Sequence, residues 1–295
     1  MDRLGDWGNL LHLIDDDSPR VRQAVVGRLR GLGHDPLQAL DDAGVEMNPR
    51  QRSFLAGLRH ELDEERLDEG WSRWCEAKPD LETFHVLIAT LLADYGGRED
   101  PRRQLDLWAR RYLDSHLVPD LETLVPFLFG EDGLHGDTED YFAPRNSSLA
   151  HALVRRRGLP ITLCSALQLI GRRVGVPVDG VAFPGHFLAR ADWQGRTVWI
   201  DCFDGGRFIG KEELMDAVGA VPPAMRDRVV EPASPLEITA RILRNVVGSL
   251  ERAEDIARFH RAQGWLAELD RRLRGGGPSR AVNPESEGDS SAEEP

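Results

Sequence analysis

Apolar residues recur at three- and four-residue spacing along most of the chain, the period of a helix that buries one face. This spacing predicts helices from Pro49 to Ala77, Leu81 to Ala93, Pro101 to Leu117 and Leu121 to Leu128. Upstream, NLLHLIDDDSPRVRQAVVGRLRGL carries apolar residues on both sides of DDDSP, with Ser18 placed to cap a second helix and Pro19 in its first turn. It predicts a helical hairpin at 9–33 similar to a single HEAT repeat, with no second copy to stack on it. After GLPITLCSALQLIGRRVGVP, which reads as one amphipathic helix starting at Pro160, the texture changes. VDGVAFPGHFLARADWQGRTVWIDCF alternates over short β-rich runs broken by glycine turns, predicting strands near 178–183, 185–191 and 197–202. Two further helices are expected near 236–251 and 253–273.

The expected architecture is therefore α+β: an N-terminal helical region over 1–78, a helix-on-antiparallel-sheet unit over 79–232, and a helical pair over 233–275. The closing stretch, 276–295, is rich in Gly, Ser, Pro and Glu and is expected to be an acidic disordered tail, because it cannot bury enough apolar area to offset its ordering entropy.

Composition narrows the function classes. With 295 residues the chain is long enough for one large or two ordinary domains, and 41% hydrophobic content supplies a core. A formal net charge of -13 argues against general affinity for nucleic acid or anionic lipid. Cys75, Cys164 and Cys202 are widely spaced with no CxxC pair, which predicts no disulfide framework, no structural zinc and a reducing compartment. No apolar run approaches the length of a membrane span, and the reading is a cytoplasmic protein without metal or cofactor. The acidic loop GEDGLHGDTEDYFAPRNS lacks the spacing of a calcium loop and is read as solvated.

One constellation carries chemistry. A cysteine in a helix, a histidine on a following strand and an acid beyond it are the parts of a thiol nucleophile site. If Gln194 and Gly195 form a two-residue turn, Asp201 pairs opposite Leu188 and shares a sheet face with His186, within diagonal reach. A one-residue slip would separate the two.

The run YFAPRNSSL, then RRRGLPITLCSALQLIGRRVGVPVDGVAFPGHFLAR, then WIDCFDGGRFIGKEEL, resembles the SirB1 family. That resemblance implies a papain- or transglutaminase-like core followed by TPR-like helices, here shortened to one pair that begins with RILRNV. In transglutaminase-like enzymes the nucleophilic cysteine opens the helix that leads into an Arg-x-x-Gly-x-Pro turn. With Arg172, Gly175 and Pro177 in register, that position is Pro160. His186 and Asp201 match the other two members of the triad. Cys164 lies one turn along, about 6 Å at 1.5 Å per residue. By the same resemblance Asn146, Ser147 and Arg157 are expected polar walls of a pocket. The expected function is non-catalytic: a binding or regulatory protein whose pocket at His186 and Asp201 takes a protein or peptide-like ligand. The alternative is a cysteine-type amide hydrolase or acyltransferase using Cys164, His186 and Asp201.

Overall fold

The computed structural model describes residues 10–275, apart from 17, 32–34, 116–117, 184 and 220–230; the tail at 276–295 lies outside the described residues. The helical hairpin is present: residues 10–14 are helical and α1 follows at Pro19–Arg30. Pro19 occupies the first turn as expected, but the Ser18 hydroxyl makes no cap bond, and the Ser18 amide instead donates to Asp16 Oδ1 at 2.7 Å. α2 (Pro36–Asp42) leads to α3 (Pro49–Glu76), whose start is fixed by a reciprocal capping box between Asn48 and Gln51. α4 (Leu81–Leu91), α5 (Pro101–Ser115) and α6 (Leu121–Phe129) follow where the helical period predicts them.

β1 (His135–Gly136) pairs in parallel with β2 (Arg157–Gly158), with the short α7 (Leu149–Arg155) between them. α8 (Pro160–Val174) ends at Gly175, whose φ of 81° places it in the left-handed region that closes a helix. A four-stranded antiparallel meander comes next: β3 (Asp179–Phe183), β4 (His186–Trp193), β5 (Arg196–Asp201) and β6 (Arg207–Ile209). The chain continues through α9 (Lys211–Gly219), α10 (Pro235–Arg252) and α11 (Ile256–Gly275).

Alternation along the strands gives the sheet two buried faces. Phe187, Ala189, Ala191, Ile200 and Cys202 pack toward α8 in the main core, while Val181, Leu188, Trp199 and Ile209 pack with Leu214 and Val218 of α9. The main core is continuous from Leu67, Trp71 and Trp74 of α3, through α8, to Trp265 and Leu269 of α11. A smaller cluster under α1, α2 and the first half of α3 is separate, with Val25, Leu29, Leu40 and Leu55 at its centre. Trp71 and Trp74 stack at 5.4 Å between centroids, which makes them core aromatics. Among the described residues no helix is long and apolar enough to cross a membrane.

Candidate functional site

The β4–β5 hairpin decides the site. Trp193 pairs with Arg196 and Ala189 with Ile200, so Gln194 and Gly195 are the two turn residues, both with positive φ (50° and 75°). That is the twist of a primed turn, which suits the twist of the strands it joins. The same register, extended by one residue, sets Asp201 opposite Leu188. His186 Nε2 donates to Asp201 Oδ2 at 2.8 Å. Since a carboxylate can only accept, Nε2 is the donor in this bond.

Asp201 is held from its other oxygen as well. Oδ1 accepts from the backbone amides of Phe203 and Asp204, each at 3.1 Å. Burial alone would raise the Asp201 carboxyl, but the His186 bond, the imidazole charge and the two amides outweigh it and hold it below the ordinary carboxylate range. The turn that supplies those amides needs glycine: Gly205 and Gly206 have φ of 61° and 74°, and a Cβ at Gly206 would meet Val125 at 2.7 Å. The Gly-Gly of the sequence motif is thereby explained. Asp204 contributes through its backbone, while its carboxylate pairs with Arg207 at the surface.

Pro160 is the first residue of α8, with Leu159 at the cap. Cys164 is 1% exposed, and its thiol donates to the backbone carbonyl of Phe187 at 3.5 Å. Its neighbour across the core is Cys202, whose thiol is pushed well above the ordinary range by burial and then by Cys164. Cys202 and Phe187 face α8, whereas their chain neighbours Asp201 and His186 alternate toward the other face. The structure thus brings His186 and Asp201 together, and directs the Cys164 thiol to main chain. Cys75, near the end of α3, is in no disulfide among the described residues, and its thiol is pushed up to about 11, chiefly by burial.

Asn146, Ser147 and Arg157 take separate roles. The Asn146 side-chain amide donates to the carbonyls of Asp140 and Tyr141 at 2.7 and 3.3 Å, and the Asn146 main-chain carbonyl receives the Thr162 hydroxyl of α8 at 2.9 Å. It ties the loop before α7 to the start of α8 and so presents Tyr141, whose ring meets Phe203 edge-on at 5.9 Å. Among the described residues the buried Ser147 hydroxyl has no hydrogen-bond partner. Arg157 pairs with the exposed Glu139 at 3.2 Å. Asp137, in the same acidic loop, is 1% exposed; burial would raise its carboxyl, but the Asp140 amide, the Asn146 side chain and the Glu139 amide hold it low. Among the described residues no group of three or more His, Cys, Asp or Glu side chains is placed to hold a metal ion.

Arg241 of α10 belongs to this neighbourhood although motif spacing gives it no role. It donates to the carbonyls of Phe183 and His186 at 3.1 and 2.7 Å, the two residues that flank Pro184 and Gly185 in the chain. The run RILRNV, in which it stands, reads only as the start of a helical tail and carries no sign of this role. Two cavities lie elsewhere: one of about 1050 Å³ beside Trp193, Trp199 and Lys211, and one of about 800 Å³ beside Lys78, Arg172 and Pro235. Size alone would favour the first of these as the site, but His186 and Asp201 carry the chemistry and line neither.

Comparison with known proteins agrees with this geometry. A UPF0162 protein of Xylella fastidiosa is 40% identical over 126 residues, covering 41% of this chain and 45% of that protein. A UPF0162 protein of Vibrio cholerae is 36% identical over 85 residues, covering 28% of this chain and 32% of that one. Human F-box only protein 21 is 29% identical over 140 residues, covering 44% of this chain and 21% of its own length. The chain thus spans less than half the length of these curated relatives. No solved structure matches it significantly. The profile of the transglutaminase-like superfamily matches residues 99–244, a span that takes in Asn146, Pro160, His186, Asp201 and Arg241. With its helix packed on an antiparallel meander and a histidine–aspartate pair at 2.8 Å, the chain carries a transglutaminase-like domain.

Proposed function

We propose that this domain is a binding or regulatory module of SirB1 type rather than a conventional transglutaminase or cysteine protease, and that its site at His186 and Asp201 engages a peptide-like segment of a protein. On this reading α10 and α11 are the shortened TPR-like tail, and the protein acts in the cytoplasm. The observation that carries it is the contrast between the two halves of the triad. His186 and Asp201 are oriented by three hydrogen bonds, while Pro160 stands where the family resemblance puts the nucleophile and the Cys164 thiol, one turn along α8, is buried against the Phe187 carbonyl. A thiol attacks as thiolate, which is favoured at a helix N-terminus or beside imidazolium and disfavoured in an apolar core.

The test is reactivity. Intact protein is incubated at neutral pH with an activated ester and, separately, with iodoacetamide, and adducts are mapped by mass spectrometry. Slow labelling at Cys164, comparable with buried Cys202 and unchanged in His186→Ala, is the expected result. A stoichiometric acyl adduct that disappears in Cys164→Ala would instead establish an amide hydrolase or acyltransferase using Cys164, His186 and Asp201.

A further inference from the structure

Arg241 is half-buried in the main body of the molecule, and burial lowers its pKa from the usual guanidinium range. A desolvated cation is normally matched by a carboxylate, because an unpaired buried charge is costly. Arg241 has none: among the described residues its hydrogen bonds go to two main-chain carbonyls, its guanidinium lies 5.5 Å from the Phe187 ring, and no acidic side chain pairs with it. The charged side chain that acts on it from its own helix, Arg244, is also a cation and pairs with Asp270. The acid at the site, Asp201, is already occupied by His186 and two amides. A guanidinium has five N–H donors, of which two are used here.

The rim beside it points the same way. Tyr141 stands close enough to act electrostatically on Arg241, and its ring packs against Phe142, over which Arg252 sits at 3.8 Å. Tyr141 and Phe142 are 39% and 55% exposed. Two cations, Arg241 and Arg252, and two accessible aromatic rings, Tyr141 and Phe142, thus adjoin one another beside the His186 main chain.

We infer that Arg241 is the recognition group for a carboxylate carried by a peptide at this site, either an acidic side chain or a free C-terminus. This rests on the peptide-binding reading above. An arriving anion supplies the acidic partner that Arg241 lacks among the described residues, and its remaining N–H groups offer the paired geometry that carboxylates take. By holding the His186 carbonyl it also couples occupancy to the strand that bears the imidazole.

Three short peptides separate the possibilities: acetyl-Ala-Glu-amide, acetyl-Ala-Ala with a free C-terminus, and the neutral acetyl-Ala-Gln-amide. Each is titrated into the full chain while the His186 ring resonances are followed by NMR, the assignment coming from His186→Gln. One carboxylate peptide should shift those signals saturably, at least about tenfold more tightly than the neutral one, the factor expected of a charge-assisted hydrogen bond. Whichever carboxylate peptide does so identifies the source. Arg241→Gln should erase the difference and Arg241→Lys keep part of it. Equal saturable binding of all three would overturn the carboxylate inference and leave the peptide site standing. No response to any of them would remove both. If Arg241 serves only to pin the turn, the three peptides behave alike in the wild-type chain, so the outcome does not depend on how well the variants fold.

Discussion

At the scale of single residues, the Asp201 carboxylate is the best-determined group at the site, and its depressed pKa is a statement about stability. A carboxyl that titrates lower in the folded chain than in the unfolded one stabilises the fold above the unfolded value of about 4, and that stabilisation is lost as pH falls through the folded value. Three donors converge on Asp201, from His186, Phe203 and Asp204. Asp201→Asn turns one oxygen into an amide that cannot accept, and leaves a buried donor unsatisfied. The expected cost is about 1–3 kcal/mol at pH 7. Urea unfolding of both proteins should show the gap narrowing below about pH 4, where the wild-type carboxyl also takes up its proton. A gap that stays constant from pH 7 to pH 3 would mean that shape alone, not ionisation, accounts for the loss.

At the scale of elements, two glycines of the motifs that mark this chain do different work, and the difference is measurable. Gly175 closes α8 with φ of 81°, and a Cβ there would meet nothing within 4 Å. Gly175→Ala should therefore cost only the backbone preference, about 1 kcal/mol. Gly206 combines φ of 74° with a Cβ contact of 2.7 Å to Val125, in the turn whose amides hold Asp201. Gly206→Ala adds overpacking to strain and should cost about 2–4 kcal/mol. Equal midpoints for the two variants in denaturant would refute this ordering. These glycines, and the Gln194–Gly195 turn with the register it imposes, are legible in the sequence because turn chemistry and a period of two are local signals. β6 at Arg207–Ile209 and α7 at Leu149–Arg155 are too short for any period to emerge. Arg241 could not be read at all, since its bonds reach 55 and 58 residues back to His186 and Phe183 and leave no pattern in RILRNV. Likewise, counting along α8 shows that Cys164 misses the first turn, but only the folded chain shows its thiol turned to the Phe187 carbonyl.

At the scale of the whole molecule, the helices on either side of the transglutaminase-like domain are fastened to each other. Trp71 of α3 stacks on Trp265 of α11 at 4.8 Å, and its indole N–H donates to Glu268 at 2.9 Å. Arg272 donates to the Cys75 carbonyl at 2.6 Å, and Arg261 pairs with Glu64 and Asp68. Since α10 also carries Arg241 to the His186 strand, the second half of α3 and the α10–α11 pair are joined to the site through one continuous core. Trp265→Ala deletes a large buried ring and should cost about 3–5 kcal/mol. The loss should not stay in α11. Hydrogen exchange in the variant is expected to speed up in the second half of α3, in α4 and in α10, which share that core. The amides of α1 and α2 should change little, because they rest on the separate cluster around Val25, Leu29 and Leu40 and open independently of it. If exchange accelerates only within α11, the helical pair is an appendage rather than part of that core, and Arg241 must be held in place by its two carbonyls alone. If α1 and α2 accelerate equally, the two clusters unfold as one unit, and the long α3 transmits stability along its whole length.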